Sequence, residues 1–282
     1  MTAPISPSVR RRRPAVLLVL LAVVVLAAVG AAVWLAARGT ATGALTLRDP
    51  VKREIAMEMV ASAENSTLAW YDRYDYIEDI GDERGYTGGL VGFTSGTHDM
   101  LMLIEHYTDQ VPGNALAEFL PALRAVDGTD SHEGLGEAFE DAWRAEAARS
   151  AFQQAQRDEV DRLYFEPAID RAIADGLGVL GQFIYFDAMV MHGDSGFAAI
   201  REEALRAKAI PAEGGDQAGY LEAFLDARVV EMRTEAAHED TSRVDTAQRV
   251  FLDAGNLGLE PPLRWSVYGD SYEITGEPAS HW

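Results

Sequence analysis

The sequence predicts a mainly α-helical (α+β) body carrying a single small β region. Three observations predict it: helical spacing of apolar residues along most of the chain, one glycine-rich stretch between residues 80 and 97, and the absence of cysteine. Without cysteine, neither a disulfide framework nor a thiolate metal site is available, so the fold must rest on a buried apolar core.

The first 43 residues stand apart from that body. Arg10, Arg11, Arg12 and Arg13 precede an uncharged, mostly apolar run of 24 residues, Pro14 to Ala37. This is the pattern of an export signal or a membrane anchor followed by a short linker. The run exceeds the ~7–15 residues of a cleaved signal core and reaches the ~20 that span a bilayer. Small residues from Gly39 to Ala44 offer cleavage sites. Release is the preferred expectation, with anchoring through this segment as its alternative. Either way the body is expected outside the cytoplasm, as a secreted, extracellular protein.

Residues 44–282 suit one domain, or two lobes sharing a core. Asp49-Pro50 reads as a helix N-cap with proline in the first turn. The helix that follows carries Ala56, Val60 and Glu64 at i, i+4 and i+8, so Glu64 closes an apolar stripe, and Asn65-Ser66 end the helix. From Ile80 to Thr97 six glycines interrupt a short apolar segment, Leu90 to Phe93, which reads as a loop leading into small strands. This is the one β region expected. Helical pattern resumes near Asp99, again from Asn114 to Val126, and from Glu137 to about Tyr164. A strongly apolar helix is expected from Pro167 to His192. Gly176, Gly178 and Gly181 within it permit close packing or a bend. A loop from Ile210 to Gly215 precedes a helix from Asp216 to about Glu239. The tail beyond Gly258, with three prolines, reads as irregular.

The body holds 19 basic and 45 acidic residues, a net charge of about −26. Nucleic acid is a poor partner for such a field, whereas a polycation is drawn to it. The same charge also serves solubility alone.

Two carboxylates invite a catalytic reading. Glu64 lies on a partly apolar helix face, where burial disfavours the charged form, and a protonated carboxyl there can serve a leaving oxygen. Asp82 follows in a glycine-rich loop beside Arg84, a setting that keeps a carboxylate ionised. Glycoside hydrolysis needs one proton donor and one carboxylate across the scissile bond. In so acidic a chain, many other Glu–Asp pairs have comparable spacing. Asp187 interrupts the apolar helix, and Arg228 shares a face with Leu221 and Phe224, so each needs a partner if buried. Arg243 is a further basic candidate. This set is either a structural ion pair of the core or an arginine network that touches Glu64. Trp70, Trp143 and Trp265 can stack on sugars or fill the core. The six histidines show no zinc spacing, and no metal or organic cofactor is expected.

Several ordered motifs resemble the chitosanases of glycoside hydrolase family 46. They include Ser62-Ala63-Glu64-Asn65-Ser66, Tyr76 to Asp82, Arg84-Gly85-Tyr86-Thr87-Gly88-Gly89, Met191-His192-Gly193 and Asp240 to Thr246. Thr234-Glu235-Ala236-Ala237-His238 belongs to the same set. The resemblance runs from about Asp49 to Tyr272. It implies a lysozyme-like, two-lobed fold with a substrate cleft between the lobes, and inverting endo-hydrolysis of chitosan. By resemblance, Glu64 is the general acid, Asp82 the general base, and Thr87 helps hold the attacking water. Arg243, Arg228 and Asp187 match a network contacting the acid. Arg84, Asp99, Tyr164, His192 and Glu239 match the substrate cleft. The implied partners are chitosan and glucosamine oligosaccharides, and nothing points to an oligomer, so a monomer is expected. The chain departs from the family pattern in a shorter loop after His192-Gly193, an extra acid at Glu83, and the tail Glu277–Trp282. Two rivals remain: a muramidase on the same scaffold, and a non-catalytic acidic module that binds cationic polymers.

Overall fold

A computed structural model describes residues 45–234 and 239–282. The leader, residues 1–44, and most of the Thr234–His238 motif lie outside the described residues.

Helix α1 (Pro50–Glu64) starts as its sequence dictates. The Asp49 carboxylate accepts from the Val51 and Lys52 amides, and Pro50 occupies the first turn, where no N–H is missed. Its buried face, with Ile55, Ala56 and Val60 fully enclosed, packs into the core. The helix stops at Asn65, whose amide returns to Ala61 O, and Ser66 is left-handed (φ 51°). Glu64 is therefore presented at a helix end. Asn65 Nδ2 donates to Leu90 O (3.3 Å), tying that end to the β region.

Strands β1 (Ile77–Asp79), β2 (Tyr86–Gly88) and β3 (Phe93–Thr94) form the antiparallel sheet expected from the glycine-rich stretch. Thr87 stands opposite Glu78 on one side and Thr94 on the other. Gly89 has φ 75°, and a Cβ there would lie 2.5 Å from Gln156 Oε1, so both the turn and the packing require glycine. Helices α2 (Asp99–Gln110), α3 (Leu120–Val126) and α4 (Glu137–Ala147) follow.

The helix expected to run on to Tyr164 is instead divided. It breaks at Ala148-Arg149, then restarts as α5 (Ser150–Val160), passes through a π turn (Asp161–Phe165) and continues as α6 (Glu166–Ala174). Pro167, read from sequence as a helix start, lies inside this rod. Proline offers no amide to the preceding turn and crowds its carbonyl. The wide π turn just before it accommodates both defects. The first half of the rod packs on α2 and α4, and the second half on α7, so the rod links the two lobes of one continuous core.

Gly176 (φ 81°) ends α6, and the apolar helix proper is α7 (Val179–Ala207). Its apolar part ends at His192 as expected: Gly193 leaves helical geometry (φ 65°, ψ −177°), and a second helical stretch follows directly, with no loop between them. Helix α8 (Gln217–Met232) starts where expected, with Asp216 as its N-cap, but ends at Met232, short of the Glu239 read from the sequence. A second π turn (Arg243–Gln248) leads into α9 (Arg249–Asp253).

The tail beyond Gly258 corrects the sequence reading. Strands β4 (Leu263–Val267) and β5 (Asp270–Ile274) form a second antiparallel sheet. Leu263, Trp265 and Val267 are buried while Arg264 faces outward, the period-2 alternation of a strand with one face on the core. The neighbouring prolines obscured it.

Candidate active site

A cleft of about 370 Å³ is walled by the end of α1 (Glu64, Asn65), the first sheet (Thr87, Thr94), the rod (Tyr164), the α7 break (His192, Gly193), Arg243 and Tyr268. Arg84 and Asp99 also line it. Residues spread over nearly the whole body converge here because both π turns and the Gly193 break place their side chains on it.

Glu64 is held by Arg243, whose Nη1 donates to Glu64 Oε1 at 2.5 Å. Behind it Arg243 gives Nη2 to Asp187 Oδ1 (2.7 Å) and Nε to both Asp187 oxygens (3.1 Å). Arg228 Nη1 donates to Asp187 Oδ2 (2.7 Å) and to Gln248 Oε1 (3.0 Å), while Gln248 Nε2 donates to Asp187 Oδ2 (2.6 Å). Asp187, Arg228, Arg243 and Gln248 are all buried. Burial pushes the Asp187 carboxyl up, but two guanidiniums outweigh it and hold it at about 2. The arginines are not equivalent. Arg228 is lowered by burial and by repulsion from Arg243, whereas Arg243, against burial, is raised well above its ordinary value by two carboxylates. The alternatives left open by the sequence therefore both hold: the set is a core ion pair, and its second arginine touches Glu64.

Thr87 is 7 % exposed, and its Oγ1 finds no hydrogen-bond partner among the described residues. A buried hydroxyl in that state costs stability unless a water or ligand meets it. Asp99 Oδ2 accepts from Tyr164 OH (2.8 Å), while Oδ1 accepts from the Thr94 and Met100 amides (both 2.9 Å). Burial pushes the Asp99 carboxyl up although these bonds pull it down. Burial and the Asp99 charge push the Tyr164 phenol well up, so Tyr164 remains the donor. His192 Nε2 lies 3.3 Å from Arg228 Nε, joining the cleft wall to the buried network.

Two expected site residues are placed less directly. Asp82 sits on the β1–β2 loop and is not among the residues walling the cleft, although Ile80 and Arg84 are. Its carboxylate accepts from the Arg84 amide (3.1 Å) and Nε (2.7 Å), and forms an ion pair with Nη2 (2.5 Å). Glu239 is exposed and likewise absent from the cleft wall. The three tryptophans are core residues, with indole N–H groups given to Glu54, Tyr74 O and Ser62. Sequence reasoning missed Gln248 and Tyr268. Gln248 was legible as a polar residue five positions beyond Arg243, whereas Tyr268 needed the hairpin.

Comparison with known proteins establishes the family. Residues 58–263 match the model of glycosyl hydrolase family 46. The chain is 61 % identical over 232 residues to a chitosanase of Streptomyces sp. (strain N174), covering 81 % of this chain and 84 % of that protein. It is 33 % identical to a chitosanase of Bacillus subtilis (strain 168), covering 76 % and 82 %. Among solved structures, a co-crystal of chitosanase OU01 with substrate superposes with TM-score 0.81 at 55 % identity, covering 83 % of this chain and all of that one. A Gynuella sunshinyii chitosanase complexed with chitotetraose gives 0.74 at 34 %, covering 79 % and 96 %. This chain belongs to glycosyl hydrolase family 46 and is a glycoside hydrolase of the chitosanase type.

Proposed function

We propose that this chain hydrolyses internal β-1,4 linkages of chitosan with inversion at the anomeric carbon, Glu64 acting as general acid and Asp82 as general base. The observation that carries the reading is Glu64 itself: a carboxyl at a helix end, in a cleft, fixed by a buried arginine.

The chemistry follows from charge. With Glu64 protonated, the buried set holds two guanidiniums and one carboxylate. Giving the proton to the glycosidic oxygen creates a second carboxylate beside Arg243, and the set becomes neutral. Arg243 thus faces the charge that develops on Glu64 as the proton leaves. An inverting reaction also needs a water on the opposite face of the sugar, and a carboxylate to take its proton. Thr87, with its unmet buried hydroxyl, supports a water site. Asp82 serves as the base once Arg84, 41 % exposed, releases or shares an oxygen. Bound sugar is the natural competitor for that guanidinium.

Glucosamine carries an ammonium, which suits an acidic protein and a cleft holding Asp99. Tyr164, His192 and Arg84 supply further polar contacts, with Glu239 an outlying contributor. The relatives named chitosanases, and the solved complexes with substrate and chitotetraose, support the same substrate here. The basic and apolar leader supports action outside the cytoplasm.

The test is the configuration of the first products. Proton NMR of chitosan digests should show α reducing ends before mutarotation. Initial β ends would point to retention and remove Asp82 as base. New ends from peptidoglycan but not chitosan would favour the muramidase.

A further inference from the structure

The β4–β5 hairpin turns through Tyr268-Gly269, between the paired residues Val267 and Asp270. Both turn residues are left-handed, Tyr268 at φ 51° and Gly269 at φ 90°. Two-residue turns with both φ positive favour Asn or Asp followed by Gly. A bulky aromatic in the first position is a backbone outlier, and such outliers persist where the surroundings over-determine them.

Two features supply that determination. The turn is tied to the segment that carries Arg243: Tyr268 N donates to Ser242 Oγ (2.9 Å), and Thr246 Oγ1 donates to Ser266 O (2.6 Å). The Tyr268 side chain lines the cleft with Glu64 and Arg243, and its phenol lies in the field of both. Arg243 uses three of its five N–H groups on Asp187 and Glu64. The phenol thus shares the cleft wall with a guanidinium that has donors to spare.

We propose that Tyr268 is a positioning residue, which holds the Arg243 fork on Glu64 from the open side of the cleft while Asp187 holds it from the core. This rests on the reading of Glu64 as the acid. An aromatic that merely covers the hairpin would contribute to stability and leave the titration of the site unmoved.

Tyr268→Phe removes the hydroxyl alone. Tyr268→Asn removes the side chain while installing a residue suited to the left-handed turn, so the fold is preserved. Three readouts are compared with wild type: melting temperature, kcat and KM on chitosan across pH, and the Glu64 carboxyl titration followed by 13C NMR in the free protein, assigned with Glu64→Gln. Expected are a Tyr268→Asn melting temperature at or above wild type, and kcat lower by about tenfold in both variants, the worth of one hydrogen bond. KM should change little, and the Glu64 titration should move in both variants in the same direction. Wild-type kcat and an unmoved Glu64 titration in both variants would overturn the proposal. If the wild type itself left chitosan intact, the functional reading would fail, and the substrate-free titration would still decide the role of Tyr268.

Discussion

Asp187→Asn is the most informative single change in the buried network. It removes one negative charge from between two enclosed guanidiniums and turns an acceptor-only group into one that also presents N–H donors to donors. Asp187 accepts from Arg228 Nη1, Arg243 Nη2 and Nε, and Gln248 Nε2, at 2.6–3.1 Å. Removing one partner of a buried ion pair costs about 3–5 kcal/mol, because the remaining charge is left uncompensated. For a domain of this size 1 kcal/mol moves the melting temperature by about 2–4 °C, so a loss of roughly 6–20 °C is expected at pH 7. The assay is differential scanning calorimetry of both proteins across pH. The sign follows from the depressed carboxyl. With Asp187 at about 2 in the fold against an ordinary 3.8, its contribution is complete above the ordinary value and disappears as pH falls through about 2. The gap between wild type and variant should therefore be constant near neutrality and narrow below pH ~4. A variant melting within ~2 °C of wild type at pH 7, less than 1 kcal/mol by the same conversion, would refute the energetic account. A gap that widens in acid would refute the assignment of charge.

Thr87→Val should leave the melting temperature unchanged or raised, since Thr87 Oγ1 gives up no protein partner, while chitosan cleavage falls about tenfold; calorimetry and reducing-end assays check both. Glu58 is pushed up to about 7 by burial and by the nearby charge of Glu54. A raised carboxyl stabilises the fold at low pH, and that contribution is lost as pH rises from about 4.5 towards 7. Glu58→Gln should accordingly raise the melting temperature at pH 8 relative to wild type, and have little effect at pH 4.5; the reverse pattern would contradict the sign.

Local signals carried much of the fold into the sequence. Asp49-Pro50 marks the start of α1 and Asn65 its end, because capping is a contest among neighbouring residues. The glycine-rich stretch marks the first sheet for the same reason. The π turns were hidden: helical periodicity reads the same through Asp161–Phe165, and only packing around Pro167 selects the wider turn. The second sheet was hidden by prolines beside five-residue strands. In the site, Asp187 and Arg228 were legible singly, as charges on apolar faces that demand partners. Their convergence with Arg243 on Glu64 joins residues up to 179 positions apart, and resemblance to a family supplied it before geometry did. The Asp82–Arg84 ion pair was foreseeable from adjacency. That the Asp82 carboxylate lies outside the cleft wall was not.

The central claim is that Glu64 delivers the proton that breaks the sugar chain. Reducing ends released from chitosan by wild type and by Glu64→Gln, each confirmed folded by its melting curve, test it most directly. A carboxamide keeps the shape and a contact for Arg243 but has no proton to give, so hydrolysis should fall by about 10²–10⁴-fold. Hydrolysis at the wild-type rate in a folded Glu64→Gln protein would contradict the account.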